Sequence, residues 1–142
     1  MRFLTGEYFH KLDAKNRIRI PSKLKKELGD SYYFTKGTNG CLFIFSQEEI
    51  ELTLAKMQDV KVSDIEKQKG LRAFTKSLVA AEEDNQGRIV LNPALKKFAG
   101  IKDEIVFCGS GNRIDIWAKE RYDEYFDGTD ENFDDLLKTL DI

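Results

Sequence analysis

"LDAKNRIRIP", Leu12 to Pro21, sets an Asp, a short polar turn, an Arg, a strand-like Ile-Arg-Ile and a Pro in close succession. Downstream, "EDNQGRIVLNP", Glu83 to Pro93, nearly repeats it. Aligning Asp13 on Asp84 sets an offset of 71. At that offset Arg17 falls on Arg88, Ile18 on Ile89, Ile20 on Leu91, Leu24 on Leu95, Lys25-Lys26 on Lys96-Lys97 and Gly29 on Gly100. One extra residue in the second copy then moves the offset to 72, so that Gly37 meets Gly109 and "LFIF" (Leu42–Phe45) meets "IDIW" (Ile114–Trp117). So long an agreement with a single insertion marks an internal tandem duplication.

Each copy predicts the same elements. A strand precedes the Asp (Glu7–Leu12; Ser77–Glu83), and a second, with period-two apolar positions, follows the turn (Arg17–Ile20; Arg88–Leu91). A Pro then opens a short helix that a Gly closes, "PSKLKKELG" and "PALKKFAG". Two further strands follow (Ser31–Thr35 and "CLFIF"; Glu104–Cys108 and "RIDIW"), joined by the Gly-containing turns "KGTNG" and "GSGN". Helices start at "SQEEIELTLAKM", with Ser46 as N-cap, and at "KERYDEYF". Between the copies, Ser63 is the expected cap of a helix that buries Ile65, Leu71, Phe74 and Leu78. After Phe126 the acidic "DGTDENFDDLLKTLDI" reads as a weak amphipathic helix or a mobile tail.

A single copy, with four short strands, cannot bury a core, whereas two related by a pseudo-twofold axis can pair strands and cover each other. The expected fold is mainly β with flanking helices (α+β), a pseudo-symmetric barrel or sandwich. The expected division is a first half at 1–59, a linking helix at 60–79, a second half at 77–126 and an acidic tail at 127–142.

Asp-x-x-x-Arg between two strands has a plain structural meaning. The Asp can accept hydrogen bonds from backbone N–H groups of the turn, Asn16 and Gly87 both tolerate positive φ, and the Arg can pair with the Asp, giving an anchored hairpin. An Arg at such a turn can also contact phosphate or read guanine. The copies separate these meanings, because the motif recurs and its flanking charges do not. Lys11, Lys15, Arg19 and Lys23, with His10 nearby, surround the first motif, where the second has Glu82, Gln86, Val90 and Ala94. Both motifs therefore read as scaffold, and the first also as a phosphate-facing surface.

"GEYFHKLDAKNRIRIPSKLKKELG", "GCLFIF", "RAFTKSLVAAEEDNQGRIVLNPALKKFAGI" and "NRIDIWAKERYDEY" together closely resemble the MraZ family, from about Gly6 to Tyr125. The resemblance implies a swapped-hairpin, AbrB-like β-barrel and a ring-shaped homo-oligomer, octamer-like or larger. It also implies a bacterial transcriptional regulator that binds short direct repeats of duplex DNA in the promoter of its own division and cell-wall gene cluster. The signatures fall on Asp13–Arg17 and Asp84–Arg88. DNA contact falls on the first, at Lys15 and Arg17, with Lys11, Asn16, Arg19 and Lys23 around them. The family usually has Gly where this chain has Asn16, a residue that accepts the same backbone conformation more easily than other non-Gly residues.

Composition agrees with a polyanionic partner more than the net charge of −2 suggests. Residues 1–40 balance to +5, residues 41–119 to zero and residues 120–142 to −7. No apolar run is long enough for a membrane span, and the N-terminal stretch lacks a signal-peptide core. Cys41 and Cys108 read as buried free thiols of a reducing cytoplasm, in keeping with a nucleoid-associated protein. An enzyme is not expected. There is one His, no phosphate-binding glycine loop, no metal-ligand spacing, and no cofactor or small-molecule substrate is called for. Glu82-Glu83-Asp84 reads as a solvated strand end, and Phe43, Phe45, Trp117, Tyr122 and Tyr125 as core or subunit contacts rather than a stacking platform. The rival to DNA regulation is a ring-forming protein-interaction scaffold that uses the acidic tail.

Overall fold

In a computed structural model, which describes residues 3–142, the polar turn after Leu12 separates β1 (Glu7–Lys11) from β2 (Arg17–Arg19). The expected hairpin between them does not form. β1 pairs antiparallel with β7 (Glu104–Gly109), and β2 pairs antiparallel with β6 (Arg88–Val90). The same holds around the second turn, where β5 (Val79–Ala80) pairs with β3 (Tyr32–Lys36). The local hairpins are β3 with β4 (Leu42–Ser46) and β7 with β8 (Ile114–Ala118), closed by the two glycine turns. A six-stranded sheet in the order β1-β7-β8-β4-β3-β5 and a separate β2–β6 ribbon result.

Exchanging the two copies leaves that strand order unchanged. The register shows where the pseudo-twofold axis passes: Ile18 lies opposite its own equivalent Ile89, and Phe43 opposite its equivalent Asp115. Both sheets are antiparallel, and among the described residues the strand order of the larger one does not close on itself. Six helices hold more of the described residues than the eight strands do, so the fold is mixed α and β rather than mainly β. They are α1 (Ser22–Leu28), α2 (Gln47–Met57), α3 (Ile65–Ser77), α4 (Pro93–Phe98), α5 (Lys119–Tyr125) and α6 (Phe133–Lys138).

The period-two pattern is realised on both faces of the central strands. Leu42, Ile44, Ile105, Phe107, Ile114 and Ile116 point to one side. There they meet Ile18, Ile20, Ile89 and Leu91 from the ribbon and its exits, and Leu24, Leu28 and Leu95 from α1 and α4. Cys41, Val106, Cys108 and Trp117 form a smaller cluster, packed against Phe43, Tyr122 and Phe126. Asp115 is buried, bonded to Ser110 Oγ (2.7 Å) and Arg113 Nε (2.9 Å), and the Arg113 guanidinium lies 4.2 Å from the Phe43 ring centre.

Several local expectations are corrected. Asp64, not Ser63, caps α3, accepting the Lys67 N–H at 3.1 Å, because its carboxylate is the stronger acceptor at a positive helix end. Ile65 is 77% exposed and α3 buries no residue fully; Phe74 meets Phe45 edge-on instead. The strand expected over Ser77–Glu83 shrinks to Val79–Ala80, because Ser77 still belongs to α3, where its hydroxyl meets Phe74 O and the buried Thr35 Oγ1. Pro21 occupies the cap position of α1 and not its first turn. Ser46 caps α2 through the Glu49 N–H. The acidic tail does form a helix, α6, but Phe133 and Leu136 are exposed on it, as is Leu140 just beyond its end.

Candidate functional site

The two repeated turns share almost the same geometry. Asp13 Oδ1 accepts the backbone N–H groups of Lys15 and Arg17, both at 2.9 Å, while Oδ2 takes Arg17 Nε at 2.6 Å. Asp84 Oδ1 accepts Gln86 and Arg88 N–H at 2.9 Å, and Oδ2 takes Arg88 Nε at 2.8 Å. Asn16 and Gly87 occupy the left-handed region at φ 58° and 75°. Each Asp thus closes its turn and holds the Arg that starts the next strand. Donation from the Arg17 N–H, more than the guanidinium, holds the Asp13 carboxyl below the usual carboxylate range, and the Arg88 N–H holds Asp84 down to about 2.

Around this scaffold the surfaces differ. Ile18 and Ile89 face inward, so Arg17, Arg19, Arg88 and Val90 line the outer side of the β2–β6 ribbon. Arg17 stands opposite Val90, and Arg19 opposite Arg88. Lys15 and Asn16 are exposed at the turn, and Lys23 is exposed on the first turn of α1. Lys11 lies apart from the ribbon, at the end of β1 in register with Glu104. Among the described residues Lys15, Arg19 and Lys23 have no carboxylate partner. A groove of about 530 Å³ is lined by Arg17, Asp84 and Arg88.

Two features escape sequence reasoning. Glu83 is exposed, as expected, but not unpartnered: it accepts the Tyr32 hydroxyl and lies 3.4 Å from Lys25 Nζ, tying the second turn to the first half. From the second half, Lys96 Nζ reaches the first turn and donates to Asn16 Oδ1 at 2.9 Å. The repeat alignment points to Lys96 only as the equivalent of Lys25. A second groove, of about 340 Å³, opens beside Asn16, Lys96 and Lys97.

Trp117 and Phe45 are buried, and Trp117 stacks on Tyr125 at 4.7 Å between centroids, so these aromatics are spent on packing. Cys41 and Cys108 are free and buried. Among the described residues no cluster of His, Cys, Asp or Glu is placed to hold a metal, and no helix is long and apolar enough to cross a membrane.

Comparison with known proteins agrees along nearly the whole chain. The family model described as "MraZ protein" matches residues 3–73 and 79–141, once over each copy. A protein of Lactobacillus delbrueckii subsp. bulgaricus named "Transcriptional regulator MraZ" is 43% identical over 143 residues, covering 96% of this chain and 95% of its own. Proteins of the same name from a Thermoanaerobacter species (37% over 138 residues; 97% and 96%) and Ligilactobacillus salivarius (36% over 135 residues; 95% and 94%) match over a similar span. With both copies matched and the doubled Asp-Arg turn in place, the chain belongs to the MraZ family of transcriptional regulators.

Proposed function

We propose that the protein is a sequence-specific regulator that binds short direct repeats of duplex DNA in the promoter of its own division and cell-wall gene cluster, as a ring-shaped homo-oligomer. The exchange of β1 and β5 between copies is read as the swapped-hairpin, AbrB-like arrangement. The observation that carries the DNA reading is the uncompensated positive charge around the first turn. Asp13 is occupied by Arg17, while among the described residues the side chains of Lys15, Arg19 and Lys23 form no ion pair. A two-stranded ribbon fits the major groove, and Arg17 and Arg19 are its outward side chains at the basic turn. One turn with a few phosphate contacts binds feebly; a ring that presents several to successive repeats gains by effective concentration. The protein then acts in the cytoplasm, at the nucleoid, without a cofactor.

Titration of the promoter duplex against salt tests this. Lys15→Ala and Arg17→Ala should weaken binding and lower the slope of log K on log salt by about 0.9 per lost phosphate contact. Arg88→Ala should lower stability more than specific binding. Unchanged affinity and slope in both first-turn variants would refute the assignment. The exposed Phe133, Leu136 and Leu140 among acidic residues favour one rival, a protein-interaction scaffold. In that case truncation after Phe126 abolishes partner capture and leaves DNA binding irrelevant.

A further inference from the structure

Lys25 and Lys96 are equivalents in the repeat, yet their surroundings are opposite. Lys25 Nζ lies 3.0 Å from Asp30 Oδ1 and 3.4 Å from Glu83 Oε2, and its ammonium sits over the Tyr32 ring. Two carboxylates consume its charge. The repeat offset carries Asp30 to Ile101 and Glu83 to Leu12, and both of these are apolar and buried, at 6% and 9% exposure. Neither acid that captures Lys25 therefore has a counterpart near Lys96. The one acceptor that Lys96 meets among the described residues is the neutral Asn16 side-chain oxygen, at 2.9 Å.

A neutral amide orients an ammonium without cancelling its charge, and an ammonium has three donors, of which this bond uses one. The position equivalent to Asn16 is Gly87, which has no side chain to hold a lysine. Asn16 thus combines two properties: it takes the left-handed conformation of the turn, φ 58°, and it draws a cation from the other half to the turn's edge. The adjoining groove is lined by Lys96, Lys97 and Asn16 together with the apolar Leu91, Pro93 and Ile101.

We propose that Lys96, positioned by Asn16 and supported by Lys97, is a phosphate-contacting residue of the duplex-DNA surface, so that both halves of the chain build one interface around the first turn. This rests on the DNA reading of that turn. Lysine serves here as a point charge that needs no bidentate geometry.

Fluorescence anisotropy of a labelled duplex taken from upstream of the protein's own coding sequence, across a salt series, tests the proposal. Lys96→Gln should lower the salt slope by about 0.9 for each protomer bound, and Lys96→Arg should retain it. Asn16→Gly, which keeps the turn, should lose part of the affinity. Lys25→Gln should leave the slope at its wild-type value. A wild-type slope and affinity for Lys96→Gln, with Lys15→Ala reduced in both, overturns the role of Lys96 and spares the DNA reading. If neither variant moves, both readings fall. An equal loss in Lys25→Gln also overturns the proposal, since the effect would then not depend on the surroundings of Lys96. Lys96 is partly exposed, so the glutamine variant is expected to fold, which circular dichroism checks.

Discussion

The cross-pairing of the two copies makes a sharp demand on unfolding. Ile18 and Ile89, 4% and 5% exposed, face each other at the centre of the β2–β6 ribbon, where the pseudo-twofold axis crosses it. Truncating either to Ala removes buried methyl and methylene groups from the same seam. Such changes cost about 2–5 kcal/mol when the surroundings cannot collapse. At this chain length, with roughly 3 °C of melting temperature per kcal/mol, that is a shift of about 6–15 °C. Symmetry predicts nearly equal costs for Ile18→Ala and Ile89→Ala. Because the two side chains meet, the double variant should lose less than the sum, by roughly 0.5–3 kcal/mol.

The assay is urea unfolding at fixed protein concentration, followed by far-UV circular dichroism and by the fluorescence of the single tryptophan, Trp117. Trp117 lies on β8 in the smaller cluster, on the opposite face of the large sheet from Ile18. If the copies fold as one unit, Ile18→Ala moves both transitions to the same lower urea concentration. A fluorescence transition left in place while the dichroism shifts would mean that the second half survives alone. That result refutes the view that β1–β7, β3–β5 and β2–β6 lock the halves into one cooperative structure.

Two further outcomes follow from the titrating groups. Asp84 is held down to about 2, below its ordinary 3.8, so its contribution is complete above that ordinary value and is lost as pH falls from there toward 2. Asp84→Asn should therefore melt lower than wild type at neutral pH, and its melting temperature should be flatter across that acid window. Burial pushes the Cys41 and Cys108 thiols up to about 12, so both should resist a thiol-specific chromogenic reagent at pH 8 in the native protein and react fast in urea. Rapid reaction of either thiol in the folded state would contradict its burial.

Local chemistry was legible in the residues, and partnership was not. The Asp that closes each turn, the residue that takes positive φ and the Arg that follows are set by interactions within five positions. Sequence reasoning reaches that range. Period-two alternation likewise marked which residues of β4, β7 and β8 face the core, because a strand's side chains alternate whatever it pairs with. The pairing itself is non-local. A hairpin and an exchange between copies bury the same Ile18 and Ile20, so the pattern cannot tell β1–β2 from β1–β7. The same limit hid Glu83. Its charge predicted solvent, and only the fold brings the Tyr32 hydroxyl and Lys25 to it. Lys96 was hidden for the converse reason: what matters is which acids are absent around it.

The positions at which the copies diverge are the ones the shared scaffold does not use. Ile18 and Ile89 meet at the axis, and Asp13 with Arg17 and Asp84 with Arg88 close the turns; these recur because both turns need them. Arg19 and Val90 are equivalent, outward and exposed, so one can be a cation and the other apolar without altering the ribbon's buried side. Leu12 and Glu83, and Ile101 and Asp30, differ in a concerted way. Both replacements remove acid from around Lys96 and place it around Lys25. Burial constrains alternate residues of each strand, leaving those between to be charged independently. A duplicated fold can in this way keep two like turns for stability while concentrating its unpaired cations on one, and under the proposed reading the halves build that one surface together because their strands are exchanged.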